Sequence, residues 1–82
     1  MKITYKLKRD IVARIAANLA FELSNAKAAY ILKNNQCLNG KSLIGILSCQ
    51  LRFGDIITIK GENEEDMKII REAFEGLGEV IE

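Results

Sequence analysis

Side chains able to do chemistry are few in this chain, and one kind is missing: none of its 82 residues is a histidine. That removes Ser-His-Asp and Cys-His nucleophile pairs and imidazole acid–base catalysis. Two cysteines, Cys37 and Cys49, stand too far apart for a CxxC motif. Without histidine companions they are too few to close a zinc site, so no metal is expected. Their simplest reading is as small core residues with free thiols in a reducing cytosol. Glu62, Glu64, Glu65 and Asp66 crowd together, but as the acidic first turn and solvated face of a helix rather than as paired catalytic carboxylates. Gly40, Gly45 and Gly54 are spaced for turns and packing, not for a phosphate-cradling loop. Ser42 heads an apolar stretch, where a hydroxyl caps a helix. Arg14 is either a surface charge or a phosphate ligand. No cofactor follows from this inventory, and the expectation is a binding protein rather than an enzyme.

Composition narrows the class further. Twelve Lys and Arg stand against eleven Asp and Glu, for a net charge of +1, without the basic excess of a dedicated nucleic-acid binder. At 49% hydrophobic and 28% charged residues the chain is of globular type. Its length predicts one domain over residues 1–82, with no large enclosed substrate cavity. No apolar run reaches membrane-spanning length, and no basic-then-apolar leader opens the chain, so a cytoplasmic location is expected.

The elements that must position these residues follow from periodicity. Residues 1–8 alternate, with Ile3, Tyr5 and Leu7 on one face and lysines and Thr4 on the other, the pattern of a half-buried strand. From Ile11 to Ala26 the spacing becomes helical, and Val12, Ile15, Ala16, Leu19, Ala20 and Leu23 form the apolar stripe. Phe21 falls about half a turn from that stripe and is expected in solvent. A strand over 28–33, an Asn34-Asn35 turn and a short strand over 36–38 come next, closed by Asn39-Gly40. Ser42 to Ser48 reads as a short helix, 55–60 as a strand, and Asn63 as the N-cap of a last helix with Met67, Ile70, Phe74 and Leu77 inward. The order β-α-β-β-α-β-α predicts an α+β fold: a four-stranded antiparallel sheet with three helices on one face. No structure is predicted for residues 78–82.

This order, with Asn39-Gly40-Lys41-Ser42-Leu43-Ile44-Gly45-Ile46-Leu47-Ser48, resembles the HPr family, the small phosphocarriers of the bacterial sugar phosphotransferase system. The resemblance covers nearly the whole chain and implies that family's open-faced β-sandwich. Ala13-Arg14 followed by Ala16-Ala17 is similar to the start of the family's first helix, and Gly54 fits its last turn. The family's motif of Gly, aliphatic, His, Ala, Arg, Pro corresponds here to Asp10-Ile11-Val12-Ala13-Arg14-Ile15. Val12 thus stands where the phosphorylated histidine would be, Asp10 for the glycine and Ile15 for the proline. Valine has no lone pair with which to accept a phosphoryl group. An acyl phosphate on Asp10 is the residual carrier reading, though a carboxylate there also repels the incoming group.

The chain is in this respect similar to the Crh-type regulatory branch, which lacks the histidine and keeps the serine. The resemblance implies Ser42 as a regulatory phosphorylation site. It also implies protein partners, an HPr-type serine kinase and a transcriptional regulator, bound through Val12, Arg14, Ile15, Ala17, Phe21, Leu43, Ile44 and Leu47. The six-residue span from Leu43 is too short to bury all its aliphatics on one side, which independently suggests an apolar patch. A self-associating adaptor, in which the patch pairs two copies and Ser42 is only a cap, is the alternative.

Overall fold

Eight elements are formed in the computed structural model, which describes all 82 residues: β1 (Lys2–Leu7), α1 (Ala13–Leu23), β2 (Tyr30–Lys33), β3 (Gln36–Asn39), α2 (Leu43–Ser48), β4 (Ile56–Lys60), α3 (Glu64–Ala73) and β5 (Gly78–Val80). The strands form one antiparallel sheet in the order β3-β2-β4-β1-β5, and the three helices cover one of its faces. Cross-strand partners share a face. The pairs Ile3 with Ile59, Tyr5 with Ile57 and Ile31 with Ile59 therefore lay one continuous apolar floor under the helices. Ile11, Leu19, Leu23, Ile46, Leu51, Ile70 and Phe74 close over it, all fully buried. On the open face Thr4 and Thr58 share a 2.9 Å hydroxyl hydrogen bond, and Lys2, Lys6 and Lys60 remain in water.

The sheet has five strands rather than the four expected from the sequence. β5 lies antiparallel to β1, with Val80 opposite Tyr5 and Gly78 opposite Leu7. Beyond it, Ile81 N–H donates to the Thr4 carbonyl at 2.9 Å and Thr4 N–H to the Glu82 carbonyl at 3.0 Å. Without this segment β1 would present an unpaired edge. Gly78 makes the approach possible, since a Cβ there would lie 3.2 Å from the Lys6 carbonyl oxygen and 3.3 Å from Tyr5 Cβ. The cysteine reading also needs correction in part. Cys49 is buried, and burial pushes its thiol up, but Cys37 lies on the edge strand β3 and is exposed.

Caps and turns set the element ends. Asn34 takes φ 55° in the two-residue β2–β3 turn, a left-handed conformation that Asn tolerates. Gly40 has no room for a side chain: a Cβ would lie 2.9 Å from both the Ala29 carbonyl oxygen and Leu23 Cδ1. Asn63 caps α3 by accepting from Asp66 N–H at 2.8 Å. Asp66, 2% exposed, accepts in turn from the N–H groups of Lys27 (2.8 Å), Ala28 (3.2 Å) and Glu62 (3.0 Å). One carboxylate thus pins the α1–β2 connection to the head of α3.

These backbone donors, that of Glu62 foremost, hold the Asp66 carboxyl below its ordinary 3.8. A carboxylate with a lowered folded pKa contributes stability that is complete above the ordinary value and lost as pH falls through the lowered one. Asp66→Asn is therefore expected to lower the melting temperature at neutral pH and to flatten the decline in stability below 3.8. Thermal melts across an acid pH series check this, and parallel wild-type and variant curves would refute it.

Candidate functional site

The site begins at the β1–α1 connection. Ile11 is buried in the core and its N–H donates to the Leu51 carbonyl at 2.9 Å, which fixes the loop against the α2–β4 connection. One residue earlier, Asp10 Oδ1 accepts from Phe53 N–H at 2.8 Å. Two bonds on adjacent residues thus lock these connections together at the head of α1.

Val12 is the N-cap residue of α1 rather than part of its first turn, with extended backbone (φ −131°, ψ 162°). Valine offers no side-chain acceptor, so α1 is uncapped, whereas α2 and α3 are capped by Ser42 and Asn63. The leading N–H groups of α1 are left free at a helix end that favours negative charge. Ala13 follows with φ 49°, a left-handed conformation for a residue with a Cβ. Such a residue costs about 1 kcal/mol and persists only where its surroundings hold it. Here the Ile11 and Asp10 bonds do so. Arg14, next along, is exposed.

α2 packs beside α1. Ser42 Oγ accepts from Gly45 N–H at 3.1 Å, and its hydroxyl stays exposed. Preceding it, Asn39 Oδ1 accepts from Lys41 N–H at 2.9 Å, a local turn that aims the chain into the helix. Gly45 is not demanded by space, because an added Cβ would make only ordinary contacts, with the Asn39 carbonyl oxygen and Ser42. At the other end, Lys33 Nζ donates to the carbonyls of Cys49 (3.2 Å) and Gln50 (2.8 Å). The same ammonium pairs with Asp55 at 2.9 Å, and this hydrogen bond is the main reason the Asp55 carboxyl is lowered.

Of the four aliphatics from Leu43 to Leu47, only Ile46 is buried; Leu43, Ile44 and Leu47 are exposed, Ile44 at 78%. Val12 and Ala17 are exposed along α1, as is Phe21 at 75%, while Ile15 is half-buried and packs against the core. Val12 therefore leaves the buried stripe assigned to it from periodicity, and Ile15 keeps its place there. Phe53 was missed from the sequence. It is 73% exposed, and its backbone is held by Asp10, two residues from Val12. Its signal was available: an aromatic followed by Gly54, which has φ 87°, marks a turn that presents rather than buries its side chain.

No group of three or more His, Cys, Asp or Glu side chains comes together to hold a metal, and no helix is long and apolar enough to cross a membrane. What the two packed helices offer is a set of exposed apolar side chains, a free helix terminus, a guanidinium and a serine hydroxyl.

Known proteins place this arrangement. The family model described as PTS HPr component phosphorylation site matches residues 1–82. HPr-C-His from Thermoanaerobacter tengcongensis is structurally similar, with a TM-score of 0.83, 26% identity, and coverage of 93% of this chain and 92% of that one. The phosphocarrier protein HPr from Bacillus anthracis str. Ames gives 0.78 and 26% identity, over 94% and 93% of the two chains. A curated relative, the small ribosomal subunit protein uS4 of Heliobacterium modesticaldum, is 37% identical over 67 residues, which are 76% of this chain. The match spans only 31% of that protein's length. Matched along its whole length and sharing the fold of these phosphocarriers, this chain belongs to the HPr family of the phosphotransferase system.

Proposed function

We propose that this is a regulatory HPr-type protein of the cytosol that has given up phosphoryl carriage and acts by binding protein partners, with Ser42 as its phosphorylation site. The observation that carries the reading is Val12. The residue matching the family's histidine is an exposed aliphatic at the uncapped head of α1, and Phe21 on the same helix and Leu43, Ile44 and Leu47 on the neighbouring α2 are exposed as well. An aliphatic there cannot take a phosphoryl group, but it extends an apolar contact face. Asp10 is not a substitute acceptor in this reading, because its bond to Phe53 N–H accounts for it as a loop clasp.

Phosphorylation of Ser42 would place about two negative charges at the head of α2, beside Leu43 and Ile44. The phosphate oxygens can take over the Gly45 N–H that the hydroxyl now holds, so the helix keeps its cap while the face changes charge. Incubation with an HPr-type serine kinase and ATP is expected to incorporate one phosphate per chain, abolished by Ser42→Ala. Equal incorporation in the variant, or none in the wild type, removes the regulatory half of the proposal. The self-associating alternative draws on the same exposed patch. It predicts a concentration-dependent sedimentation coefficient that Ile44→Asp suppresses.

A further inference from the structure

The open face of the sheet is turned away from the three helices, and the strand register names its residues. Lys2, Thr4 and Lys6 of β1 stand opposite Lys60, Thr58 and Ile56 of β4. Tyr30 and Leu32 of β2 stand opposite Lys60 and Thr58 in turn. A wet sheet face normally carries polar side chains at its outward positions. Here Tyr30 and Ile56 take outward positions and are 45% and 58% exposed. At the far end of β1, Lys6, Lys8 and the exposed Phe53 line one open cleft of about 420 Å³ with Leu7 and Glu79.

Charge and layout on this face together select a partner. Lys2, Lys6, Lys8 and Lys60 are exposed there against one acid, Glu79, with Glu62 and Glu82 just past the strand ends. Among the other acids, Asp10, Asp55 and Asp66 are held in hydrogen bonds. Glu22, Glu64, Glu65, Glu72 and Glu75 belong to the helical layer behind the sheet. That layer is about 10 Å thick, more than the ~8 Å over which physiological salt screens a charge. A chain of net charge +1 thus presents a basic face to whatever approaches its sheet. The exposed apolar groups are not gathered at the centre of that face, where Thr4 and Thr58 bond each other at 2.9 Å. A protein interface has the reverse anatomy, an apolar core within a polar rim. Nor do the two aromatics form a platform for successive stacked bases. Tyr30 lies level with Lys2, whereas Phe53 lies beside Leu7, about 16 Å further along β1. A bilayer surface requires neither arrangement. Dispersed lysines meet separate lipid phosphates, and isolated apolar side chains enter the interface one by one.

We propose that the open face of the sheet docks on an anionic membrane surface, its lysines on lipid phosphates and Tyr30, Phe53 and Ile56 at headgroup level, with α1 and α2 turned toward solution. Co-sedimentation with phosphatidylcholine vesicles containing about 30% phosphatidylglycerol tests this, against vesicles of phosphatidylcholine alone. Half-binding is expected at about 1 mM anionic vesicle lipid in low salt, with release at about 0.5 M salt and no binding to phosphatidylcholine. One lysine near such a surface is worth about fivefold, so Lys6→Gln with Lys60→Gln is expected to weaken binding about 25-fold. Lys68→Gln with Arg71→Gln on α3 changes the net charge equally and is expected to leave binding within about twofold. All four side chains are exposed, so both pairs should melt like the unaltered chain. Absence of binding to the anionic vesicles overturns the proposal, as does equal binding to phosphatidylcholine alone or an equal loss in the α3 pair. Tighter binding of an oligo-dT strand than of the vesicles, lost in Lys6→Gln with Lys60→Gln, would also overturn it and assign the face to nucleic acid.

Discussion

Val12→His is expected to take a phosphoryl group from phosphoenolpyruvate and the family's upstream phosphotransferase, under conditions in which the unaltered chain is expected to take none. The backbone at this position is extended and the side chain already reaches solvent. An imidazole there would stand at a helix end whose first N–H groups have no cap to compete for phosphoryl oxygens. Arg14 is exposed two residues on and can approach the same charge. The opposing influence is Asp10: one oxygen is engaged by Phe53 N–H, but a carboxylate so near the site repels the incoming group. The single variant should accordingly label slowly. Val12→His combined with Asp10→Gly should label faster, provided the loop survives loss of its clasp. Acid-labile, base-stable phosphate in the variant and none in the wild type is the expected record. A folded Val12→His chain that stays unlabelled would show that the altered loop, and not only the missing nucleophile, has closed the site to carriage.

Ile44→Asp is expected to cost partner binding far more than it costs the fold. At 78% exposure Ile44 makes little contact within the chain, and substitutions of that kind usually change stability by no more than about 0.5 kcal/mol. If α2 belongs to the proposed docking face, a charge at this position should instead weaken binding to an HPr-type kinase by about 30-fold or more, the range of a hot-spot residue. Phe21→Ala removes an exposed aromatic anchor and is expected to lose about tenfold. Ile46→Ala is the opposing control: fully buried two residues away, on the opposite side of α2, it should cost about 2–5 kcal/mol of stability. Calorimetric titration against the kinase, paired with thermal melts, separates the two classes. Undiminished binding by Ile44→Asp would move the docking face elsewhere.

Much of this architecture was legible because periodicity and capping signals agree along the chain. The alternation of Ile3, Tyr5 and Leu7 and the Ser42 and Asn63 caps each led to the element that forms. The head of α1 was harder to read. Helical spacing starts at Ile11 in the sequence and counts Val12 into the stripe, yet Ile11 is buried from a loop whose backbone bonds to Leu51, and Val12 is an exposed cap. Apolar residues look alike whether they face the core from a helix or from the connection before it. β5 had no signal of its own, since three residues opening on a glycine become a strand only because β1 has groups to pair. Asp66 likewise reads as one acid among several, and its role depends on residues 39 and 38 positions away. The exposed apolar positions were legible in part: Phe21 by its angle from the stripe and Ile44 by the brevity of α2, while the turn signal at Phe53-Gly54 went unread.

The placement of β1 between β4 and β5 also orders how the chain can assemble as it leaves the ribosome. β1 is the earliest-made strand of the sheet, but both strands that flank it come from the last third of the sequence. Through most of synthesis only α1 and the local β2–β3 hairpin have their partners available, while Ile3, Tyr5 and Leu7 wait uncovered. Because non-local pairing brings its reward only after the intervening loop is closed, the sheet can close around β1 only once β4 and β5 have both been made.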